Sequence, residues 1–421
     1  MAEADTKSIL VVGSGMSGMT AAIEAAEAGY NVYLIEKNPY LGGRVAQLYH
    51  YFPKLCSPNC GLEINFRRIK SNPRIHAYTL AEVESVSGTE GNFSVKVKVS
   101  PRYVNEKCTA CGTCAESCET EIENKFNYGM DKTKAAYLPY NMAFPMRYVI
   151  DPSFAQTAEA QKVKDSCKYD AIDLNMQEKS IDLQVASVVW ATGWQPYDAS
   201  KLDSYDFNNQ PDVISNVMME RLAAVNGPTK GKIVKPSDGE APQSVAFVQC
   251  AGSRDENHLP YCSGICCLAS LKQATYVREQ YPDAKIYFFY IDIRATDQLE
   301  DFYNKAKAET NIEFVKGKVA KIQKGPDGKP LMRVEDTTKE SLRELTADLV
   351  VLATGMQPNL AITPAPADIK YDEYGFIAQN GTPAGMYAAG CASSPGNVTE
   401  VVSDGTGIAL KAVQSVVRRA N

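Results

Sequence analysis

Apolar positions along this chain come in short, unbroken runs separated by longer stretches of helical periodicity. Residues 8–36 begin with the run SILVVG, pass through Gly13-Ser14-Gly15-Met16-Ser17-Gly18 into an alanine-rich helical stretch, stop at Gly29, and resume in the run NVYLIE. Strand, glycine turn, helix and second strand make one βαβ unit. Two later runs, 188–193 (VVWATG) and 350–355 (VVLATG), end in Ala-Thr-Gly, and 386–391 (MYAAGC) leads toward a helix expected to start near Asp404. Between them, 244–250 (SVAFVQC) predicts a strand, 265–280 a helix and 285–291 another strand. Buried strands alternating with helices predict parallel sheets of the α/β class.

Composition narrows the function. A chain of 421 residues, 44% hydrophobic, has enough apolar matter for two or three domains. The net charge of −6, with both signs well mixed, excludes the basic face of a nucleic-acid binder. Runs such as 286–291 (IYFFYI) and 186–191 (ASVVWA) are far shorter than the roughly 20 residues of a membrane-spanning helix. Membrane contact is therefore expected only through a partner. The opening MAEADTKSILVV runs straight into a strand, leaving no room for the basic and apolar regions of a signal peptide, so a cytoplasmic location is expected. In that compartment disulfide frameworks are rare, and the twelve cysteines point to metal ligation.

The glycine turn suits a dinucleotide. Gly13 permits a tight turn, Gly15 lets backbone approach a pyrophosphate at the helix N-terminus, and Gly18 lets the helix pack close to the strand. Glu36, 18 residues after Gly18 and followed by Lys37, ends the second strand, where a carboxylate can accept from a ribose hydroxyl. Later segments favour FAD over NAD: Gly42-Gly43-Arg44 after the second strand, Thr192-Gly193 and Gly355 closing the two Ala-Thr-Gly runs, and Gly390-Cys391 before the last helix. This order resembles the two-dinucleotide-domain flavoprotein superfamily of thioredoxin reductase. The resemblance implies that the last of these segments reaches the ribityl phosphate side of a flavin, where Cys391 stands in place of the usual aspartate.

Gly13 and Gly193 are 180 residues apart, and an insert at 102–175 accounts for the excess. Within it Cys108, Cys111, Cys114 and Cys118 have the spacing C-x2-C-x2-C-x3-C of a cluster-binding ferredoxin loop. The fourth cysteine of that motif ligates the other cluster in two-cluster ferredoxins and is followed by proline, whereas Cys118 precedes Glu119. Residues 166–174 (SCKYDAIDL) look like the end of a second motif that has lost its first three ligands. One [4Fe–4S] cluster is therefore expected on Cys108, Cys111, Cys114 and Cys167, with Cys118 in place of Cys167 as the alternative and a zinc site as the other.

Residues 244–291 have the strand–helix–strand scaffold of a second nucleotide domain but no glycine fingerprint. Its place is taken by C-x11-C-x3-C-C, formed by Cys250, Cys262, Cys266 and Cys267. One or two buried cysteines would be ordinary packing. Four at a functional loop fit soft-metal ligation, with a second [4Fe–4S] cluster expected and zinc as the alternative.

A family resemblance rests on GGRVAQL at 42–48, Cys56 and Cys60 after FPKL, FNYGMDKTKAAYLPY and FPMRYVID in the insert, QCAGSRDE with PYCSGICC, and AAGCASSP. Together these resemble the A subunit of heterodisulfide reductase over almost the whole chain. With one set of insert ligands and no ferredoxin modules after the last helix, the form looks most like the A subunit of the quinone-interacting membrane-bound oxidoreductase complex of sulfate-reducing bacteria. The resemblance implies one FAD, two [4Fe–4S] clusters and two partners: a second related flavoprotein and a haem-carrying membrane subunit. It also implies electron exchange between the quinone pool and adenylylsulfate reductase, at the cytoplasmic face of the inner membrane. Cys56 and Cys60 lie too far from Gly43 for the redox pair of a disulfide reductase and read as structural thiols, with a redox disulfide as the alternative. The three histidines, His50, His76 and His258, are scattered and read as packing or surface residues.

The architecture expected is thus α/β: an FAD domain at 1–101, 176–200 and 346–421, the ferredoxin-like insert at 102–175, and a degenerate nucleotide domain at 201–345. The rival function is a free-standing NAD(P)H-dependent flavoprotein oxidoreductase. A third is a flavoprotein whose clusters only hold structure.

Overall fold

The computed structural model describes residues 8–296 and 299–417. The apolar runs assemble into two parallel five-stranded sheets. In the first the spatial order is Met386–Ala388, Ser187–Trp190, Ser8–Val12, Asn31–Glu36, Ile75–Thr79. In the second it is Val213–Ser215, Leu349–Leu352, Ser244–Val248, Lys285–Tyr290, Ile312–Lys316.

Each sheet is covered on both faces, which is why its strands are apolar throughout rather than alternating. Ile9 and Val11 face the helices Met16–Glu27 and Val398–Val417, while Leu10 faces Phe93, Val95 and Val97 of an antiparallel sheet made by Ala81–Thr89, Asn92–Val99 and Lys179–Val185. Alanines 21, 22, 25 and 26 on the first helix allow close approach to the strands. The second domain repeats the plan. Val245 and Phe247 face the helices Asn216–Ala223, Cys266–Gln280 and Glu300–Lys307, while Ala246 and Val248 face Ile322, Met332 and Val334 of the antiparallel strands Val319–Lys324 and Pro330–Asp336. The two domains are stitched by the antiparallel pair Trp194–Pro196 and Met356–Pro358, each directly after an Ala-Thr-Gly turn.

The insert leaves and re-enters through neighbouring strands, since Val99 pairs with Lys179. Its small core contains Val104, Ile150, Phe154, Ala160, Val163 and Ile172. Among the described residues no helix is long and apolar enough to cross a membrane.

Three boundaries differ from expectation. Leu349–Leu352 lies inside the second sheet, so the segment from 346 gives its strand to the second domain and returns to the first only after Met356–Pro358. The two Ala-Thr-Gly runs are alike in sequence, and nothing in such a run specifies which sheet it joins. The last helix begins at Val398, not near Asp404. Asn397 Oδ1 accepts from the backbone N–H groups of Thr399 and Glu400, and Glu400 returns a carboxylate to the Asn397 N–H at 2.8 Å, a reciprocal cap. The strand at Ser244 stops at Val248, and Cys250 turns into the left-handed region with φ of 56°.

Candidate functional site

A cleft of about 650 Å³ opens where the first glycine turn meets the second domain. Gly13, with φ of 101°, is pressed against the Ala191 carbonyl, and Gly18 against the Gly13 carbonyl; a Cβ on either would overlap backbone. Gly15 is different: a Cβ there would meet nothing within 4 Å, so the space over the N-terminus of Met16–Glu27 is open toward the cleft. Uncapped N–H groups around such a space suit a pyrophosphate.

Glu36 is held in place by four donors. Ser14 N and Oγ reach one carboxylate oxygen at 2.9 and 2.6 Å, and Asn38 N and Nδ2 reach the other, both at 2.8 Å. These four donors take up the roughly four lone-pair sites of the carboxylate, so a ribose hydroxyl would share an oxygen with one of them. The Thr192 hydroxyl, on the cleft wall, is buried without a hydrogen-bond partner among the described residues. Arg44 has no carboxylate partner among its hydrogen bonds: its guanidinium donates to the Trp194 carbonyl at 3.2 Å, to the Tyr128 hydroxyl at 3.2 Å and to Gln47 Oε1 at 3.4 Å. An open cradle, a fixed carboxylate and an unsatisfied hydroxyl fit FAD.

Met16, Ser17, Lys37, Gly42, Gly43, Gly193, Gly355 and Cys391 also line the cleft. Gly18 and Gly390 stand behind its wall instead. The Gly390 N–H donates to Asp404 at 2.6 Å, so a carboxylate serves this segment from the helix rather than from position 391. Burial pushes the Cys391 thiol up to about 11, leaving it neutral where the superfamily carries an acid.

Sequence reasoning missed the far wall, which the second domain supplies through Asn216, Glu220, Lys272 and Gln273. Glu220 and Lys272 form an ion pair of 2.9 Å, each side chain only 3% exposed. Glu220 also accepts from Gln273 Nε2 at 2.7 Å and from the Tyr49 N–H at 3.1 Å, and Lys272 donates to the His50 carbonyl. Next to it Arg221 donates to Asn127 Oδ1 of the insert at 2.8 Å and to the Gln47 carbonyl at 3.0 Å, joining all three parts of the molecule. Isolated charges inside helical runs look like a solvated face in sequence. No signal distinguished these.

The thiols gather in two places. Cys108, Cys111, Cys114 and Cys167 line one small cavity of the insert together with Tyr148 and Tyr169. Cys118 is not among them; it is buried in the insert core, its thiol donating to the Thr120 carbonyl at 3.5 Å. Burial, and then the neighbouring Cys108, push the Cys114 thiol up to about 12. In the second place Cys250 follows the strand, Cys262 lies in the loop, and Cys266 and Cys267 open the helix Cys266–Gln280. Burial raises the Cys266 and Cys267 thiols, the latter to about 11, with proximity to Cys250 and Cys262 adding to it. Cys266, with Ile265, also lines the flavin cleft. Among the described residues no three His, Cys, Asp or Glu side chains are drawn together as for a single metal ion. Cys56 and Cys60 stand exposed and apart from both sets.

Fold and cleft define a flavin-dependent oxidoreductase built on two dinucleotide-type domains. Residues 8–58 match the family model described as FAD dependent oxidoreductase, and residues 291–405 match the pyridine nucleotide-disulphide oxidoreductase model. The fold is shared with thioredoxin reductases of T. acidophilum (15% identity, TM-score 0.52, 98% of each chain) and Lactococcus lactis (13%, 0.53, 98% and 99%). Sequence relatives are more specific. The chain is 36% identical to the A subunit of the ferredoxin/F(420)H(2)-dependent CoB-CoM heterodisulfide reductase of Methanosarcina acetivorans, over 97% of this chain and 53% of that one. It is 34% identical to the A subunit of the H(2):CoB-CoM heterodisulfide,ferredoxin reductase of Methanothermobacter marburgensis, over 97% and 64%. The chain belongs to the family of heterodisulfide reductase A subunits and spans between about half and two thirds of these relatives' length.

Proposed function

We propose that this chain is an electron-transfer subunit in which FAD occupies the cleft and two [4Fe–4S] clusters occupy the two thiol sets. The observation that carries the reading is Cys266, which belongs to the second thiol set and also lines the flavin cleft. Bound there, FAD supplies coupling between two-electron and one-electron chemistry, and the clusters supply single-electron stations. The chain's own part is positioning. Gly13, Gly15 and Gly18 seat the dinucleotide, and Glu36 fixes its ribose end. The Glu220–Lys272 pair and Arg221 hold the second domain, with its thiols, against the cleft.

In the insert the ligands are Cys108, Cys111, Cys114 and Cys167. The shared cavity supports Cys167, and the burial of Cys118 in the insert core speaks against the competing assignment.

The physiological role is electron exchange between the quinone pool and a cytoplasmic partner such as adenylylsulfate reductase, as in the quinone-interacting membrane-bound oxidoreductase complex of sulfate reducers. The partners are a second heterodisulfide-reductase-A-like flavoprotein and a haem-containing membrane subunit, which would hold this chain at the inner membrane. The motif set supports this assignment. The test is anaerobic iron quantification with electron paramagnetic resonance on Cys167→Ser and Cys118→Ser. Cys167→Ser is expected to lose the insert signal and Cys118→Ser to keep it; the reverse pattern overturns the ligand set. Rapid bleaching of the flavin by NADH in the isolated chain would instead favour an NAD(P)H-dependent enzyme.

A further inference from the structure

The surroundings of the second thiol set are uneven. After Cys250 the chain turns back, the Arg254 N–H donating to the Tyr261 carbonyl at 3.1 Å, while Arg254 itself adopts φ of 54°. This places its guanidinium on Asp292, Nη1 to Oδ1 at 2.7 Å, and against the Cys250 thiol. Asp292 follows the strand Lys285–Tyr290, and its carbonyl accepts from the Cys267 thiol at 3.8 Å. Its carboxylate also takes Arg294 Nε at 3.5 Å. Arg254, beside Cys250, and Arg294 share the one Asp292 carboxylate, so the positive charge here exceeds the negative by one. Polar groups reach sulfur in both sets: the Gly264 N–H donates to Cys262 at 3.3 Å and the Ala110 N–H to Cys108 at 3.4 Å, and the Thr113 hydroxyl lies 3.5 Å from Cys111.

We propose that Arg254 is a positioning and tuning residue that raises the reduction potential of the cluster held by Cys250, Cys262, Cys266 and Cys267. The inference rests on the reading that these thiols hold a cluster. Reduction adds one electron to the iron–sulfur core, supplied in a titration by a chemical reductant, and no bond to the chain forms or breaks. The core becomes more negative, so a cation beside one of its sulfurs stabilises the reduced state more than the oxidised one. Asp292 aims the guanidinium at Cys250. The helix that carries Cys266 and Cys267 lies on the cleft wall, so the potential of this station bears directly on exchange with the flavin side.

The experiment is a redox titration followed by electron paramagnetic resonance, on the full chain, for wild type, Arg254→Leu, Arg254→Gln and Arg254→Lys, each with its iron count. Leu and Gln are expected to lower the equilibrium constant for reduction of the second cluster about tenfold, ~59 mV for a one-electron couple. Lys is expected to recover most of the shift, and the insert cluster to stay where it was in all three. A Gln or Leu variant with full iron and an unmoved potential overturns the inference and leaves the cluster reading intact. Equal losses of iron in Gln, Leu and Lys mean that Arg254 only holds the loop, which also overturns it. A wild-type chain with about four irons and the insert signal alone removes the cluster reading itself.

Discussion

Two strand-to-helix junctions in this molecule occupy equivalent places in equivalent sheets and have been put to different uses. At the first, Val12 leads into Gly13 with φ of 101°, and the helix begins at Met16. At the second, Val248 leads through Gln249 into Cys250 with φ of 56°, and the helix waits until Cys266. Both segments must enter the left-handed region on leaving the sheet. Glycine does so freely, whereas a residue with a Cβ pays roughly 1–2 kcal/mol. Keeping cysteine at such a position makes sense when its sulfur is needed at that point. The first junction works by leaving side chains out, so that N–H groups face an open space over Gly15. The second fills the corresponding region with thiols and a longer loop. One scaffold thus offers an open glycine cradle in one domain and, on the proposed reading, a soft-metal ligand set in the other.

The comparison can be broken most severely at the second junction. Cys262→Ser removes one of four ligands and is expected to lower iron from about eight to about four per chain, with flavin retained and the insert signal unchanged. Loss of flavin together with iron would show that the two junctions are not independent sites. Next in size is the ion pair inside the second domain whose two side chains also bond the backbone of Tyr49 and His50 in the first. Lys272→Met strands the Glu220 carboxylate, 3% exposed, and is expected to destabilise by about 3–5 kcal/mol, read as a lower midpoint in denaturant. A much smaller loss would mean that the Glu220 carboxylate does not depend on Lys272.

The glycine cradle gives a finer contrast. Gly18→Ala drives a Cβ into the Gly13 carbonyl and should destabilise the fold, while Gly15→Ala meets nothing in the folded chain and should leave the melting temperature of the flavin-free chain nearly unchanged. Only the space over Gly15 is reserved for a ligand. Gly15→Ala is therefore expected to purify with substoichiometric FAD, and full occupancy would contradict the cradle. The smallest effect belongs to Cys118→Ser, a packing change inside the insert core that should cost about 1–2 kcal/mol in a melt and leave the iron count unchanged.

Much of this was legible in the chain because it is written in local spacing. The βαβ unit at 8–36, the ligand spacing of the insert and the missing fingerprint at 250–267 each depend on neighbours within a few dozen residues, and the structure contains each βαβ element within one or two residues of its expected bounds. The preference for Cys167 over Cys118 came from the cross-ligation pattern of ferredoxin loops, and the cavity in the insert accords with it. What was not legible depends on tertiary proximity. Asp404 reaches Gly390 from a helix 14 residues away, and Glu220 meets Lys272 across 52 residues. Nor could the run at 350–355 announce that it belongs to the second sheet, since its partners at Val213–Ser215 and Ser244–Val248 are chosen by packing rather than by pattern.

The central claim is that the thiol set at the flavin wall holds a second cluster. Its most direct test is anaerobic quantification of iron, acid-labile sulfide and flavin in wild type and Cys250→Ser. The account predicts about eight irons, eight sulfides and one flavin in wild type, falling to about four, four and one in the variant. About four irons in both would contradict it.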